Sequence, residues 1–301
     1  MQNEKQLTMP TQSRRAFTKN MLLGATALAL PLPPALLAKK GSDMKLGLVT
    51  YLWGKDWDVP TLIANCKKTK VLGVELRTQH AHGVDPDISQ ARRKEVQMQF
   101  ADSPVELVGL GTNQDYHHAD PAKLKASIEG TKAFIKLSHD VGGTGVKVKP
   151  NAFPEGVSKE KTIEQIGKSL REVGQFGADY GQEIRVEVHG RETQELPNIR
   201  AMMDVADHPN VRVCWNCNKE DLIGEGLAYN FNLVKDYFGA TAHVREFNVG
   251  DYPYEQLMAL FVDMDYAGWI LLECRTDPED KVKALKEQRK LFKKLVKQGR
   301  K

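Results

Sequence analysis

Long apolar runs, cysteine and net charge are all scarce in this 301-residue chain, and each shortage closes off a class of protein. The most apolar stretch, Met21 to Leu30, is stopped by Pro31, Pro33 and Pro34, far short of the roughly 20 apolar residues a membrane-spanning helix needs. Cysteine occurs four times, at Cys66, Cys214, Cys217 and Cys274. The C-x-x-C spacing of Cys214 and Cys217 raises redox or zinc chemistry, but a zinc ribbon needs a second pair, and a thioredoxin-like pair would open a helix rather than end the strand-like run VRVCWN. A bridge between neighbours stays open. The formal charge is only +4, with 43 Lys and Arg against 39 Asp and Glu, so no strong field draws the chain to nucleic acid. The basic C-terminal stretch carries Val282, Leu285, Phe292, Leu295 and Val296 at helical spacing, which makes its lysines the solvated face of a last packed helix. A glycine-rich phosphate loop is also missing. The first strand-like run ends in TYLWGK, Thr50 to Lys55, without G-x-G-x-x-G, which argues against an open dinucleotide-binding sheet.

The N-terminus carries Ser13-Arg14-Arg15-Ala16-Phe17-Thr18-Lys19 ahead of the short apolar run. SRRAFTK resembles a twin-arginine export signal, which implies delivery of a folded protein to the periplasm or the exterior. Cleavage is expected near Ala38, and no cysteine follows the apolar run, so no lipid or other stable membrane anchor is expected. The organisation read from the sequence is therefore a signal over 1–38 and one domain over 39–301, without an internal linker.

Hydrophobic residues make up 41% of the chain, enough for a substantial core. β-rich runs fall at 45–52, 73–78, 105–112, 145–149, 184–189, 211–216, 241–247 and 269–275. Segments of helical period lie between them, such as 162–180 with Ile163, Ile166, Leu170, Val173 and Phe176 on one face. Asp120-Pro121, Ser158 and Asp277-Pro278 read as the starts of the third, fourth and eighth helices. Eight strand and helix pairs predict an α/β fold, a single (β/α)8 TIM barrel.

In such a barrel alternate strand residues face the axis, and chemistry gathers at the C-terminal strand ends. In IRVEVHG, Ile184, Val186 and Val188 take the helix-facing side, which sends Arg185, Glu187 and His189 inward. The same phasing turns in Glu75 and Arg77, Lys147 and Lys149, Arg212, Cys214 and Asn216, His243 and Arg245, and Leu271, Glu273 and Arg275. Parallel strands should be continuously apolar, so this many ionisable residues imply a polar chamber. Arg185 and Arg212, near the strand starts, are expected to pair with Glu75 or other carboxylates in the barrel floor. Glu187, His243 and Glu273, with the amide oxygen of Asn216, are expected to enclose a divalent cation. An oxygen-rich set with one nitrogen suits Mn²⁺, Mg²⁺ or Co²⁺, with Zn²⁺ also open. Histidines 80, 82, 117 and 118 fall on loops at the same mouth, where substrate binding and simple solvation are both open.

The glutamate of VEVHG, the polar residue closing VCWN, the histidine of TAHVREF and the glutamate of WILLECR together resemble the xylose isomerase-like TIM barrels. That group includes sugar-phosphate isomerases and epimerases, ketose 3-epimerases and, more distantly, endonuclease IV. The resemblance spans about residues 44–300. It implies a metal held by Glu187, Asn216, His243 and Glu273, with the two glutamates exchanging the proton. Asn216 stands where the family usually has Asp, and Lys219 where the epimerases often have His. The implied reaction is proton abstraction beside a sugar carbonyl, with Lys149 and His189 placed to bind hydroxyls, stabilise the enediolate or act as acid. Glu75, Arg77, His80 and Arg275 are read as substrate contacts.

Export favours free sugars or glycosides over phosphorylated ones, and elimination from 3-keto-glycosides by a lyase or hydrolase would use the same acid–base pair. A non-catalytic sugar-binding barrel and an endonuclease-like phosphodiesterase are the rivals from other classes. The second needs many metal-binding histidines and a route to DNA that export removes. A sugar or glycoside is the expected partner, nucleic acid is not, and homo-oligomerisation is left open. Glutamine at either glutamate is expected to stop turnover with little change in stability.

Overall fold

A computed structural model describes residues 43–301, so the export-signal reading lies outside the described residues. Eight strands alternate with eight helices: β1 Lys45–Val49, α1 Val59–Thr69, β2 Gly73–Arg77, α2 Gln90–Ala101, β3 Glu106–Asp115, α3 Pro121–Asp140, β4 Gly145–Lys149 and α4 Lys159–Asp179. The second half continues as β5 Glu183–Glu187, α5 Leu196–Ala206, β6 Val211–Trp215, α6 Leu227–Val234, β7 Phe238–Val244, α7 Tyr254–Asp263, β8 Trp269–Leu272 and α8 Lys281–Gly299. All neighbouring strands pair in parallel and β1 closes on β8, giving the expected (β/α)8 barrel. Among the described residues no helix is long and apolar enough to cross a membrane.

The strand alternation builds two separate apolar regions. Ile184 and Val186 of β5, Val188 just past it and their counterparts join the large core between sheet and helices, while Val49, Val108, Trp269 and Leu271 form a small cluster of their own. Arg185, only 1% exposed, donates to the Val108 carbonyl (2.9 Å), Thr144 Oγ1 (3.0 Å) and Glu183 Oε1 (2.9 Å). Its carboxylate partner is Glu183 rather than Glu75. Arg212 finds main-chain carbonyls instead, at Phe238 and Asp236. Glycine makes room for the guanidinium: a Cβ at Gly145 would lie 2.6 Å from Arg185 Cζ, and one at Gly109 2.7 Å from Nη1. The barrel floor thus holds a charge because every face of that charge has a partner.

Side-chain caps start α3 and α4 as expected, with Asp120 accepting from the Ala122 N–H and Ser158 from that of Lys161. Each such cap is worth about 1 kcal/mol. The start of α8 differs from the sequence expectation: Asp280 is the cap, not the Asp277-Pro278 pair. The Glu246 carboxylate accepts the main-chain N–H groups of Arg275 and Thr276, which holds the chain in a loop past β8 and delays the helix. β7 also departs, beginning at Phe238 and ending at Val244. The Arg245 N–H leaves the ladder for the Tyr254 hydroxyl (3.2 Å), which ends the strand there.

Candidate active site at the barrel mouth

The ends of β4 to β8 bring together the residues that the strand phase turns inward. Ligand atoms of Glu187, His243 and Glu273 all lie within 4.8 Å of one another, and all three side chains are buried. Asn216 Nδ2 donates to Glu187 Oε1 (2.9 Å), and Lys147 Nζ donates to Glu187 Oε2 (2.7 Å), both contacts shielded from solvent. His243 Nε2 sits 3.3 Å from Glu75 Oε2, and its Nδ1 3.6 Å from Glu187 Oε1. The four residues expected around a cation therefore occur as one cluster, with Lys147 and Glu75 added to it.

Burial is the largest single influence on each group in this cluster, and for all but Glu273 the neighbouring charges together outweigh it. Burial alone would raise Glu187, but Lys147 and His243 hold it well below the usual carboxylate range. Burial would likewise depress Lys147, yet Glu187, Glu75 and Glu273 keep its amine above the usual lysine value. Glu75 is low because His243, Lys147 and Arg185 outweigh its burial. His243 stands well above its usual value, since Cys214, Glu75 and Glu187 overcome burial. Glu273 goes the other way: burial and the Glu187 charge raise it despite His243, Lys147 and Arg275. Two carboxyl groups side by side are thus driven in opposite directions.

The donor set fits a divalent ion. With a carboxylate at Nε2, His243 donates that N–H to Glu75 and can offer the Nδ1 lone pair, the arrangement by which carboxylates orient metal-binding imidazoles. His243 Nδ1 and Asn216 Oδ1 are both buried without a hydrogen-bond partner, as an ion between them would require. Two carboxylates, an imidazole nitrogen and an amide oxygen would complete the set, in competition with a proton on His243 and with the Lys147 ammonium.

The remaining expected residues spread around the rim. Lys149 Nζ (3.3 Å) and Arg77 Nη2 (3.2 Å) converge on Asn113 Oδ1, and the Arg77 guanidinium lies over the Tyr51 ring. Burial and the Lys147 charge lower Lys149 below the usual lysine value. Half-buried His189 is lowered too, by burial and the Lys149 charge against the pull of Glu187. His80 is half-buried with Nδ1 unpartnered. Arg275 is exposed, and Glu75 is fully buried against His243. Lys219 also points away, with its side chain 88% exposed. His82 braces its own turn, between the Arg77 carbonyl and the Val84 N–H.

Lys147 is the central residue that sequence reasoning left without a role. Its inward phase was readable in GVKVK, but its partner was not. The contact corrects one expectation: glutamine at 187 would strand a buried ammonium, so the stability of that variant cannot stay unchanged. All four cysteines are free and buried, with Cys214 accepting from Thr241 Oγ1 and Cys217 donating to the His243 carbonyl.

A family model described as xylose isomerase-like TIM barrel matches residues 63–295. The chain belongs to that family. Among solved structures, the 3-keto-D-glucoside 4-epimerase of E. coli superposes with a TM-score of 0.71 at 14% identity, covering 83% of this chain and 99% of the other. An L-ribulose 3-epimerase gives 0.73 at 13% identity, covering 85% and 96%. The IOLI protein, solved with a bound zinc atom, gives 0.70 at 14% identity, covering 84% and 98%. At such identities the likeness is one of fold. No curated protein sequence matches the chain.

Proposed function

We infer that the protein is an exported sugar isomerase/epimerase-like enzyme that moves a proton next to a sugar carbonyl. The observation that carries this reading is the buried pair Glu187 and Glu273, gathered with His243 within 4.8 Å, one carboxyl held low and the other raised. Environments that push two neighbouring carboxyls apart suit one to accept a proton and the other to give one. The epimerases among the structural relatives support a carbohydrate substrate, and the SRRAFTK signal supports periplasmic or secreted delivery, hence a free sugar or glycoside.

Glu187 is the proton acceptor in the resting state. Lys147 and Asn216 each occupy one of its oxygens and fix the carboxylate plane. Glu273, with the raised pKa, returns a proton to the enediolate, and the two exchange roles in the reverse direction. A divalent ion held by Glu187, Asn216, His243 and Glu273 would polarise the carbonyl and acidify the adjacent C–H. Glu75 holds the His243 ring in place for that purpose. Lys149 and His189, both lowered, supply polar contacts and an acid at the rim. If the carbon next to the one deprotonated bears an aglycone, the same abstraction forms the C–C double bond and breaks the C–O bond, and the departing oxygen keeps the electron pair and takes a proton from Lys149 or His189, the keto-glycoside lyase reading.

Sugars and keto-glycosides incubated with the enzyme in D₂O and followed by NMR test the proposal. Deuterium should enter beside the carbonyl, and Glu273→Gln should slow that entry by about 100-fold or more. Deuterium entry at the wild-type rate in the glutamine variant would remove Glu273 from the proton path. Absence of exchange with every sugar tested would favour the binding-barrel reading.

A further inference from the structure

We propose that the rim of the barrel carries a second site, for a divalent transition-metal ion, made by Asp115, His117 and His118. β3 runs on to Asp115, which pairs with Lys149 at the end of β4, and the chain then turns through Tyr116 to the two histidines. Asp115 Oδ1 lies 2.6 Å from His118 Nε2 and 3.7 Å from His117 Nδ1, and one ligand atom from each of the three lies within 4.8 Å of the others. An ion pair accounts for His118 alone. It leaves unexplained a second imidazole turned to the same carboxylate oxygen, whose Nδ1 is hidden from water and has no hydrogen-bond partner. The two rings sit 4.5 Å apart and tilted by 37°, without parallel stacking.

The surroundings hold this geometry still. The far oxygen of Asp115 accepts from Asn151 Nδ2 (2.7 Å), fixing the carboxylate plane as outer partners of metal ligands do. Asn151 itself has a left-handed backbone, φ 75°, and bridges to Gly190, where φ is +104° and a Cβ would lie 2.0 Å from the Asn151 carbonyl oxygen. Only glycine allows so close an approach, so the bridge fixes Asn151 beside Asp115. From below, Gln165 Nε2 donates to the carbonyls of both Tyr116 (2.7 Å) and His118 (3.0 Å), while the buried Tyr116 hydroxyl bonds Thr131 Oγ1. Two imidazoles and one carboxylate on an immobilised turn suit zinc or ferrous iron, and the nitrogen share disfavours calcium and magnesium. Three protein ligands leave at least one position for water or a sugar hydroxyl.

Zinc is the probe. Crystals of the full chain soaked in zinc chloride should show an anomalous peak at the zinc edge about 2.0–2.2 Å from Asp115, His117 and His118. In solution, EDTA-stripped protein titrated calorimetrically with zinc sulfate should lose one equivalent in His118→Ala and keep it in His243→Ala. Asn151→Ala should weaken that equivalent by roughly 10- to 100-fold. The wild-type crystal decides even if an alanine variant does not fold. A soaked crystal with no peak at Asp115, or a zinc stoichiometry that His118→Ala leaves unaltered, overturns the rim site. Neither result bears on the cluster of Glu187, His243 and Glu273, whose own equivalent responds to His243→Ala.

Discussion

Lys147→Met is the most discriminating single perturbation of this barrel. Lys147 and Glu187 meet at 2.7 Å, with side chains only 3% and 2% exposed. Removing one partner of such a pair leaves an uncompensated buried charge, which costs about 3–5 kcal/mol. For a domain of this size each kcal/mol is worth about 2–4 °C, so the melting temperature of metal-free protein at pH 7 should fall by roughly 6–20 °C. The pH dependence should change as well. In the wild type Glu187 is depressed, so its stabilisation is present above the unfolded carboxylate value and lost only as pH falls through its low folded value. Lys147 is raised, so its share is present below the unfolded lysine value and lost as pH rises through the folded one. The pair therefore gives a plateau across neutral pH. Without Lys147 only the histidines oppose burial at Glu187, chiefly His243, so its folded value should rise and the variant should lose less stability than the wild type on acidification from pH 8 to 5. Lys147→Met with Glu187→Met should recover most of the loss, because neither charge is then stranded. Urea and thermal unfolding of the four proteins at both pH values measure all of this. A single variant within about 0.5 kcal/mol of the wild type, or strictly additive losses, would refute the reasoning.

Gly145→Ala should destabilise by about 1–3 kcal/mol in urea unfolding, because its Cβ would lie 2.6 Å from the Arg185 guanidinium carbon, which cannot retreat. Buried Asp221 is pushed up to about 7 by desolvation, so the folded state loses stability as pH rises from about 4 to 7; Asp221→Asn should flatten that slope in thermal melts at pH 5 and 8. Asn216→Asp should raise divalent-metal affinity in a calorimetric titration and lower stability without metal, since the Nδ2 donor to Glu187 becomes a second negative charge.

The barrel and its inward-facing row were legible because a period of two is a local property: IRVEVHG shows which residues share a face before any neighbour is known. What lies across the axis is not local. Lys147 and Lys149 have the same phase in GVKVK, and only the pairing of Lys147 with Arg185 across β4 and β5 puts the first within reach of Glu187 and the second at the rim. Strand ends were misjudged for a related reason. TAHVREF reads as strand to its last residue, but the Tyr254 hydroxyl, from later in the chain, takes the Arg245 N–H out of the sheet, and the Glu246 carboxylate accepts the Arg275 N–H of the loop past β8. The convergence of Asp115, His117 and His118 was hidden because three polar residues after a strand look like any solvated loop until Asn151 and Gln165 are seen to pin them.

Asn216 illustrates how a residue that reads as a loss in the sequence acquires a role in the fold. Against an aspartate it removes a charge, which by itself argues for a weakened cation site. In the barrel, however, Lys147 already brings one positive charge to Glu187, and the amide of Asn216 supplies a donor to the other oxygen of the same carboxylate. An aspartate could not donate, and its charge would be balanced only with an ion present. Asparagine keeps a neutral oxygen free toward the same space while holding Glu187 oriented whether or not a cation is there. The missing charge at 216 and the positive charge of Lys147 act on one carboxylate, so the metal dependence of this barrel should be set by the two positions together, and replacing either one alone should shift it.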